Sequence, residues 1–178
     1  MDPFSHYMVA YAAGREMNIS INKMRAITLA GVSPDFDGFS IIFGFEAFRD
    51  FHGGPFHSIL VALILALAIT IGFYLFTKEN VALFAVIGAF LHLLLDIPNT
   101  LGYRCSHDGL YYLWPFSDYR IALQNVVPEP QIWHVVIVTI IFAFSLAYFM
   151  LRAAKGEYAW RIWIDERKLF KGKEEKTS

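Results

Sequence analysis

The stretch FHSILVALILALAITIGFYLF, residues 56–76, is followed by the polar turn TKEN, residues 77–80, and then by VALFAVIGAFLHLLLDIPNTL, residues 81–101. Each apolar stretch, from about Phe56 to Phe76 and from about Val81 to Leu101, has the roughly 20 residues that a helix needs to cross a bilayer. In lipid, a helix can satisfy all of its backbone polar groups within one segment. Because only a short turn joins the stretches, we predict an antiparallel pair of transmembrane helices whose outer ends lie on the same side.

A third apolar segment, from about Ile132 to Leu151, is also long enough to span a bilayer. Two shorter helices are predicted ahead of the long ones, over Ser5–Met17 and Asn22–Val32, and Ser33-Pro34 is predicted to end the second. Each is too short to span alone, so we predict a half-depth hairpin packed against the long helices. The fold class is therefore all-α, an integral membrane helical bundle with three long transmembrane helices and two shorter N-terminal helices.

The composition supports a membrane protein and argues against two other classes. Hydrophobic residues make up 56% of the chain and charged residues 17%, which is apolar for a soluble domain. The net charge of -1 offers no basic field for nucleic acid, so no nucleic-acid partner is expected. Because Cys105 is the only cysteine, the chain has no internal disulfide and no cysteine-based zinc cluster. Any metal must be bound by histidines and carboxylates.

We divide the chain into a membrane-embedded domain that carries a metal site, residues 1–154, and a charged tail, residues 155–178. Basic residues near the helix ends are concentrated on the side of the 77–80 turn and the tail. They are Arg15, Lys23, Arg25, Lys78, Arg152 and Lys155, against Arg49, Arg104 and Arg120 on the opposite side. The positive-inside rule then predicts a cytoplasmic tail in the cell or inner membrane, with the opposite side facing outward.

Most of the histidines, and several aspartates, fall at the outer end of the predicted helices. They are His6, Asp35, Asp37, His52, His57, His92 and Asp96. Because antiparallel hairpins alternate in direction, these positions should converge although they are far apart in sequence. Ionisable groups in apolar segments are costly, and they favour a functional interpretation.

His92-Leu-Leu-Leu-Asp96 is the sharpest motif, since residues four apart lie on the same face of a helix and can reach one ion. Imidazole with carboxylate suits zinc, manganese or iron better than calcium. The alternative is a structural hydrogen bond that locks the helix into the bundle.

Asp35 and Asp37 form an acidic turn. This turn would bridge two ions, or it would supply one ligand and a base. The alternative is ordinary turn chemistry.

The segment His52-Gly-Gly-Pro-Phe-His57-Ser58 places two imidazoles around a flexible turn that lets backbone approach a ligand closely. The alternative is a pair of surface histidines in a loop. His107, next to Asp108, is interpreted as a substrate contact, an extra ligand or neither. His134 is interpreted as an interfacial histidine and is left out of the site.

Five local motifs carry a family resemblance. They are His6, LAGVSPDFD at residues 29–37, HGGPFHS at 52–58, HLLLD at 92–96 and LWPF at 113–116. In this order they resemble the YdjM-like membrane-bound metal-dependent hydrolases, a bacterial and archaeal family. The resemblance extends over roughly the first two-thirds of the chain and implies a metal site and hydrolase activity. The family pattern at residues 52–58 is His-Arg-Gly-Pro-Thr-His-Ser, so Gly53 and Phe56 depart from it.

The residues and the resemblance together lead to one hypothesis for the function. We expect a metal-dependent hydrolase with roughly one to three divalent ions, zinc first and manganese or iron as alternatives. The expected ligands are His6, Asp35, Asp37, His57, His92 and Asp96. The metal would activate water while Asp37 or His52 handles the proton. A site at the bilayer surface favours a phosphoester of a lipid or another amphiphile as substrate. The alternatives are a non-enzymatic protein that binds or transports an ion with the same cluster, and a purely structural cluster.

Overall fold

The computed structural model describes residues 2–52, 54–101 and 109–164, and its helices confirm the all-α prediction. The α-helices are α1 (Pro3–Glu16), α2 (Ile21–Val32), α3 (Phe45–Phe51), α4 (Ile59–Thr77), α5 (Ala82–Leu95) and α6 (Pro130–Ala154). Short 3₁₀ helices cover Ser33–Phe43, Pro55–His57, Ile97–Leu101, Leu123–Asn125 and Ala159–Trp163. Within the described ranges, β pairing is limited to an isolated bridge between Leu110 and Ile121.

Side-chain caps fix where three of the helices begin. The side chains of Asp2, Ser20 and Ser58 each accept a hydrogen bond from the backbone amide three residues later, at 2.8, 3.4 and 3.2 Å. These bonds satisfy amides that the first turn of a helix leaves without a partner. The Ser58 cap also places His57 directly before the first turn of α4.

The three long apolar segments predicted from the sequence are helical, and a fourth helical run is also long and apolar enough to cross a membrane. This run, Ile21–Phe43, has 23 residues. The α-helix ends at Val32, as the prediction from Ser33-Pro34 has it. The prediction that this part of the chain is too short to span a bilayer was wrong, because the chain continues as a 3₁₀ helix over Ser33–Phe43. Proline is tolerated in the first turn of a helix, where its missing N–H has no partner to lose. Part of the predicted 37–55 loop is likewise helical, as α3.

Residues that follow α6 pack back on the start of the bundle. The hydroxyl of Tyr7 donates to the carbonyl of Ala159 at 2.9 Å, and Ile162 is buried against Met8 and Tyr11. The guanidinium of Arg15 lies 3.2 Å from the Glu157 carboxylate. Residues 165–178 lie outside the described part, so the division into a membrane domain and a tail stays a prediction.

Small residues let α1, α2 and α5 approach closely. A Cβ atom added at Gly88 of α5 would lie 2.2 Å from the carbonyl oxygen of Ile27 on α2, and one at Gly31 would lie 2.8 Å from the Cβ of Ala10 on α1. Such small-residue contacts are typical of helix packing in membranes, where van der Waals contact drives association. The contact brings the last turn of α2 against the end of α5, where His92 is located.

We expect Gly88→Ala to destabilise the protein by about 1–3 kcal/mol, the usual cost of overpacking a core. The added methyl group can be accommodated only if α2 and α5 move apart. The measurement is thermal or denaturant unfolding in detergent micelles. Gly72→Ala in α4 is the matched control, because a Cβ there meets nothing within 4 Å. Equal stability of the two variants would contradict the prediction.

Candidate metal centre

Four separate parts of the chain contribute buried side chains to one cluster at one end of the bundle. We call this set the His/Asp cluster, and its members are His6 from α1, Asp35 from the 3₁₀ segment after α2, His57 from the turn before α4, and His92 and Asp96 from the end of α5. The most exposed of the five, Asp35, has a relative accessibility of 9%. The predicted convergence of these distant residues is therefore present in the structure.

Asp96 is the hub of the His/Asp cluster and is fully buried. Its carboxylate oxygens lie 3.4 Å from Nε2 of His6, 3.2 Å from Nε2 of His57 and 3.1 Å from Nε2 of His92. The Nδ2 of Asn99 donates to Oδ1 of the same carboxylate at 2.8 Å. One carboxylate thus faces three imidazoles and is held in place by an amide from the following turn.

Asp35 faces the same three imidazoles from the 3₁₀ helix that follows α2. One of its oxygens accepts a hydrogen bond from Nδ1 of His6 at 2.9 Å. The other lies 3.6 Å from Nε2 of His57 and 3.9 Å from Nε2 of His92. The rings of His6 and His92 stack at 4.0 Å between their centroids. The two carboxylates therefore enclose a compact set of ring nitrogens.

The separations fit a bound cation. Metal–ligand bonds of about 2.1 Å in tetrahedral geometry place neighbouring ligand atoms roughly 3.4 Å apart. Two groups of three ligand atoms, from His6, Asp35 and His92 and from His57, His92 and Asp96, have all their atoms within 4.8 Å of one another. Both groups use His92, so they overlap in one centre.

Four buried atoms of the His/Asp cluster have no hydrogen-bond partner in the described part of the chain. They are Nε2 of His6, Oδ1 of Asp35, Nδ1 of His57 and Nε2 of His92. Buried polar atoms are nearly always hydrogen-bonded, and a ligand is one of the standard reasons for an exception. The donor set of this cluster is thus compatible with a divalent metal ion.

His92 is oriented by the backbone of α2. Its Nδ1 donates to the carbonyl oxygen of Gly31 at 2.9 Å, which leaves Nε2 as the nitrogen that faces the carboxylates. Metal-binding histidines typically donate their second N–H in this way, which fixes the tautomer and the ring orientation. The close contact of α2 and α5 at Gly88 makes this hydrogen bond possible.

Asp37 lies beside the His/Asp cluster and connects it to the surface. One of its oxygens lies 3.3 Å from Nδ1 of His57, and the other accepts from Nδ1 of His52 at 2.9 Å. The His52 side chain is 34% exposed, whereas that of Asp37 is 1% exposed. Asp37 thus joins a buried histidine to a partly exposed one. Its predicted role as a metal ligand stays a prediction.

The charges around His57 favour a cation at this position. Burial lowers the pKa of this imidazole, but contacts with Asp35, Asp37 and Asp96 outweigh burial and raise the pKa well above its usual value. The carboxylates therefore attract positive charge into a site from which water is largely excluded.

His134 lies apart from the His/Asp cluster. Nδ1 of His134 donates to the carbonyl of Pro98 at 2.8 Å and so attaches the start of α6 to the turn after α5. His107 and Asp108 lie outside the described residues. Sequence reasoning did not identify Asn99 or the Gly31 carbonyl as partners of the site. The only sequence signal for Asn99 is its position three residues after Asp96.

Comparison with known proteins places the chain in a family. A protein-family model described as YdjM inner membrane protein matches residues 1–164. No curated protein and no solved structure matches the chain. The family description and the four apolar helices agree that this is a membrane protein.

Proposed function

This chain belongs to the YdjM inner membrane protein family, and we propose that it is a membrane-bound metal-dependent hydrolase that cleaves a phosphoester of a lipid or another amphiphile. The observation that carries the proposal is the convergence of buried imidazole nitrogens and carboxylate oxygens, several without hydrogen-bond partners in the described chain. Ionisable groups at membrane depth are costly, and they favour function over scaffolding.

Zinc is the proposed ion, because imidazole nitrogens and carboxylate oxygens are its usual ligands together with thiolates. His6, His57, His92, Asp35 and Asp96 would hold it. When bound, the ion would act as a Lewis acid on the phosphoryl group and lower the pKa of water at the site. Manganese and iron suit the same donors and remain the alternatives.

Asp37 and His52 are proposed to move the proton. Asp37 contacts Nδ1 of His57 on one side and Nδ1 of His52 on the other, at 3.3 and 2.9 Å. A proton released in the His/Asp cluster would reach the partly exposed imidazole of His52 through this carboxylate. General acid–base groups act over roughly 2.6–3.2 Å, so the 2.9 Å contact lies in this range and the 3.3 Å contact lies just beyond it.

The orientation in the membrane is part of the proposal. Arg15, Lys23, Lys78 and Arg152 lie at the helix ends that are opposite to the His/Asp cluster. By the positive-inside rule this end is cytoplasmic. The cluster would then lie toward the outer face of the inner membrane, where it could accept amphiphiles from the outer leaflet.

The test begins with the metal content of the full chain purified in detergent. We expect at least one divalent ion per wild-type chain and a cation affinity lowered by about 10–100-fold or more in His92→Ala and in Asp35→Ala, since even outer partners of metal ligands contribute this much. His134→Ala is the matched control, because His134 bonds to the Pro98 carbonyl rather than to the His/Asp cluster. Wild-type metal content in both cluster variants would overturn the ligand set.

Turnover then separates hydrolysis from ion transport. The metal-loaded protein should release the phosphorylated headgroup or phosphate from an amphiphilic phosphoester, and His92→Ala should not. Metal flux into liposomes without any hydrolysis would indicate that the protein is an ion carrier rather than an enzyme.

A further inference from the structure

Two apolar cavities flank the 3₁₀ segment that carries Asp35 and Asp37. The larger has a volume of about 650 Å³ and lies between the start of α1 and the 3₁₀ segment, with Phe4, Tyr7, Val32, Asp35, Phe39 and Ile41 in its lining. The smaller has a volume of about 310 Å³ and adjoins Asp37, Ile42 and Phe43. The volume of the larger cavity is typical of sites that bind small molecules.

The lining of the larger cavity includes two side chains with polar groups, Asp35 and Tyr7. Asp35 lines the cavity and also contacts the histidines of the His/Asp cluster. The other polar lining side chain, Tyr7, donates its hydroxyl hydrogen to the Ala159 carbonyl and accepts from Nε1 of Trp163 at 3.1 Å. The lining residues Phe4, Val32, Phe39 and Ile41 have aliphatic or aromatic side chains. The cavity therefore leads from an apolar surface to a charged centre.

The outer side of the cavity opens toward the region where lipid would lie. Phe39 and Ile41 are 64% and 55% exposed, and both belong to the apolar run Ile21–Phe43 that is long enough to cross a membrane. Large apolar side chains in that position are stable in contact with hydrocarbon and costly in water. An amphiphile could enter sideways from the bilayer with its chain first in contact with these residues.

We propose that the larger cavity binds a hydrocarbon chain of the substrate while the phosphoester of the same molecule lies at the His/Asp cluster. This proposal rests on the proposed function and names the substrate class as an acylated phosphoester. The cavity is continuous with the His/Asp cluster through Asp35, which favours a substrate chain over an ordinary surrounding lipid as its occupant. A surrounding lipid would contact Phe39 and Ile41 but would have no reason to extend toward a carboxylate that is only 9% exposed.

The test uses the full chain in phosphatidylcholine vesicles that contain a small fraction of phosphatidic acid with a photoactivatable diazirine on its acyl chain. After irradiation, labelled peptides are identified by mass spectrometry. We expect labelling at Phe4 and Val32, which line the cavity, to exceed labelling at Ile140 of α6. Ile140 is 62% exposed and reports contact with bulk lipid.

Neighbouring residues provide a matched pair of variants. Ile41→Trp should fill the larger cavity and lower labelling at Phe4 and Val32 by about tenfold, as a loss of about 1.4 kcal/mol in binding would. Ile42→Trp makes the same change in a residue that lines the smaller cavity, and it should leave that labelling unchanged. Both residues are exposed, so neither variant disturbs the core.

Metal content measured in the same samples separates the two proposals. Retention of the ion in Ile41→Trp together with lost labelling supports the chain-binding cavity. Wild-type labelling in Ile41→Trp, or equal labelling of Phe4 and Ile140 in the wild type, would overturn the cavity proposal and leave the metal site intact. A wild-type chain that binds no ion would instead overturn the proposed function.

Discussion

Asp96→Asn is expected to lower the turnover of an amphiphilic phosphoester by about 100-fold or more, because even the outer partners of metal ligands contribute about 10–100-fold to metal affinity or activity. The same variant should lose its divalent ion during purification. No other single substitution at the site is expected to have a larger effect.

The physical reason is the position of this carboxylate. Asp96 faces Nε2 of all three cluster histidines within 3.4 Å and is fully buried, so no water can replace its charge. Asparagine keeps the shape of the side chain, and Asn99 can still donate to the retained oxygen at Oδ1. The variant therefore tests charge and ligand chemistry rather than packing.

Asp118→Asn provides the control for this prediction. Asp118 is an exposed aspartate in the segment before α6, and the substitution removes the same charge from the same residue type. Turnover and metal content should equal those of the wild type. Full turnover in Asp96→Asn would contradict the assignment of the His/Asp cluster as the reacting centre.

The convergence of the cluster could be predicted because the sequence contains a clear chain reversal. The four polar residues at 77–80 allow only an antiparallel arrangement of the two long helices that they join. Alternating direction then places His57, at the start of one helix, and His92, near the end of the next, at the same end of the bundle. The metal site was then predicted because the cluster residues are histidines and aspartates.

The 3₁₀ helix that follows α2 could not be predicted from the residues alone. Pro34 disfavours continuation of a regular α-helix, yet it is also well suited to the first turn of a new helix. In the structure the chain continues as a 3₁₀ helix, and the described residues therefore include a fourth run long enough to span a membrane. The hydrogen bond from His92 to the Gly31 carbonyl could not be predicted either, because every residue has a backbone oxygen and the sequence does not indicate which one is used.

The 3₁₀ geometry also explains why Asp35 and Asp37 face different partners. With three residues per turn, positions two apart point in different directions. Asp35 contacts His6 and faces Nε2 of His57 and His92, whereas Asp37 faces the other ring nitrogen of His57, Nδ1, and contacts His52. Of the three sequence interpretations of this turn, the proposed function uses the one in which Asp35 is a ligand and Asp37 a base.

Chelation is expected to lower the thermal unfolding temperature of the wild-type protein by about 8–16 °C relative to protein with free cation 1,000-fold above its Kd. That ligand excess stabilises the folded state by about 4.1 kcal/mol, and each kcal/mol shifts the transition by about 2–4 °C for a chain of this size. Without the ion, the carboxylates of Asp35 and Asp96 face each other across the histidines in a buried site, and their mutual repulsion acts in the same direction.

The measurement is thermal unfolding in detergent with and without chelator, followed by zinc addition to test reversal. Asp96→Asn is the matched control, because a variant that binds no cation has no bound-state stabilisation to lose and its transition should not respond to chelator. An unchanged transition in the wild type would indicate that hydrogen bonds within the His/Asp cluster stabilise the bundle by themselves. The cluster would then be structural, because a site that binds an ion only in the folded state must make stability depend on that ion's concentration.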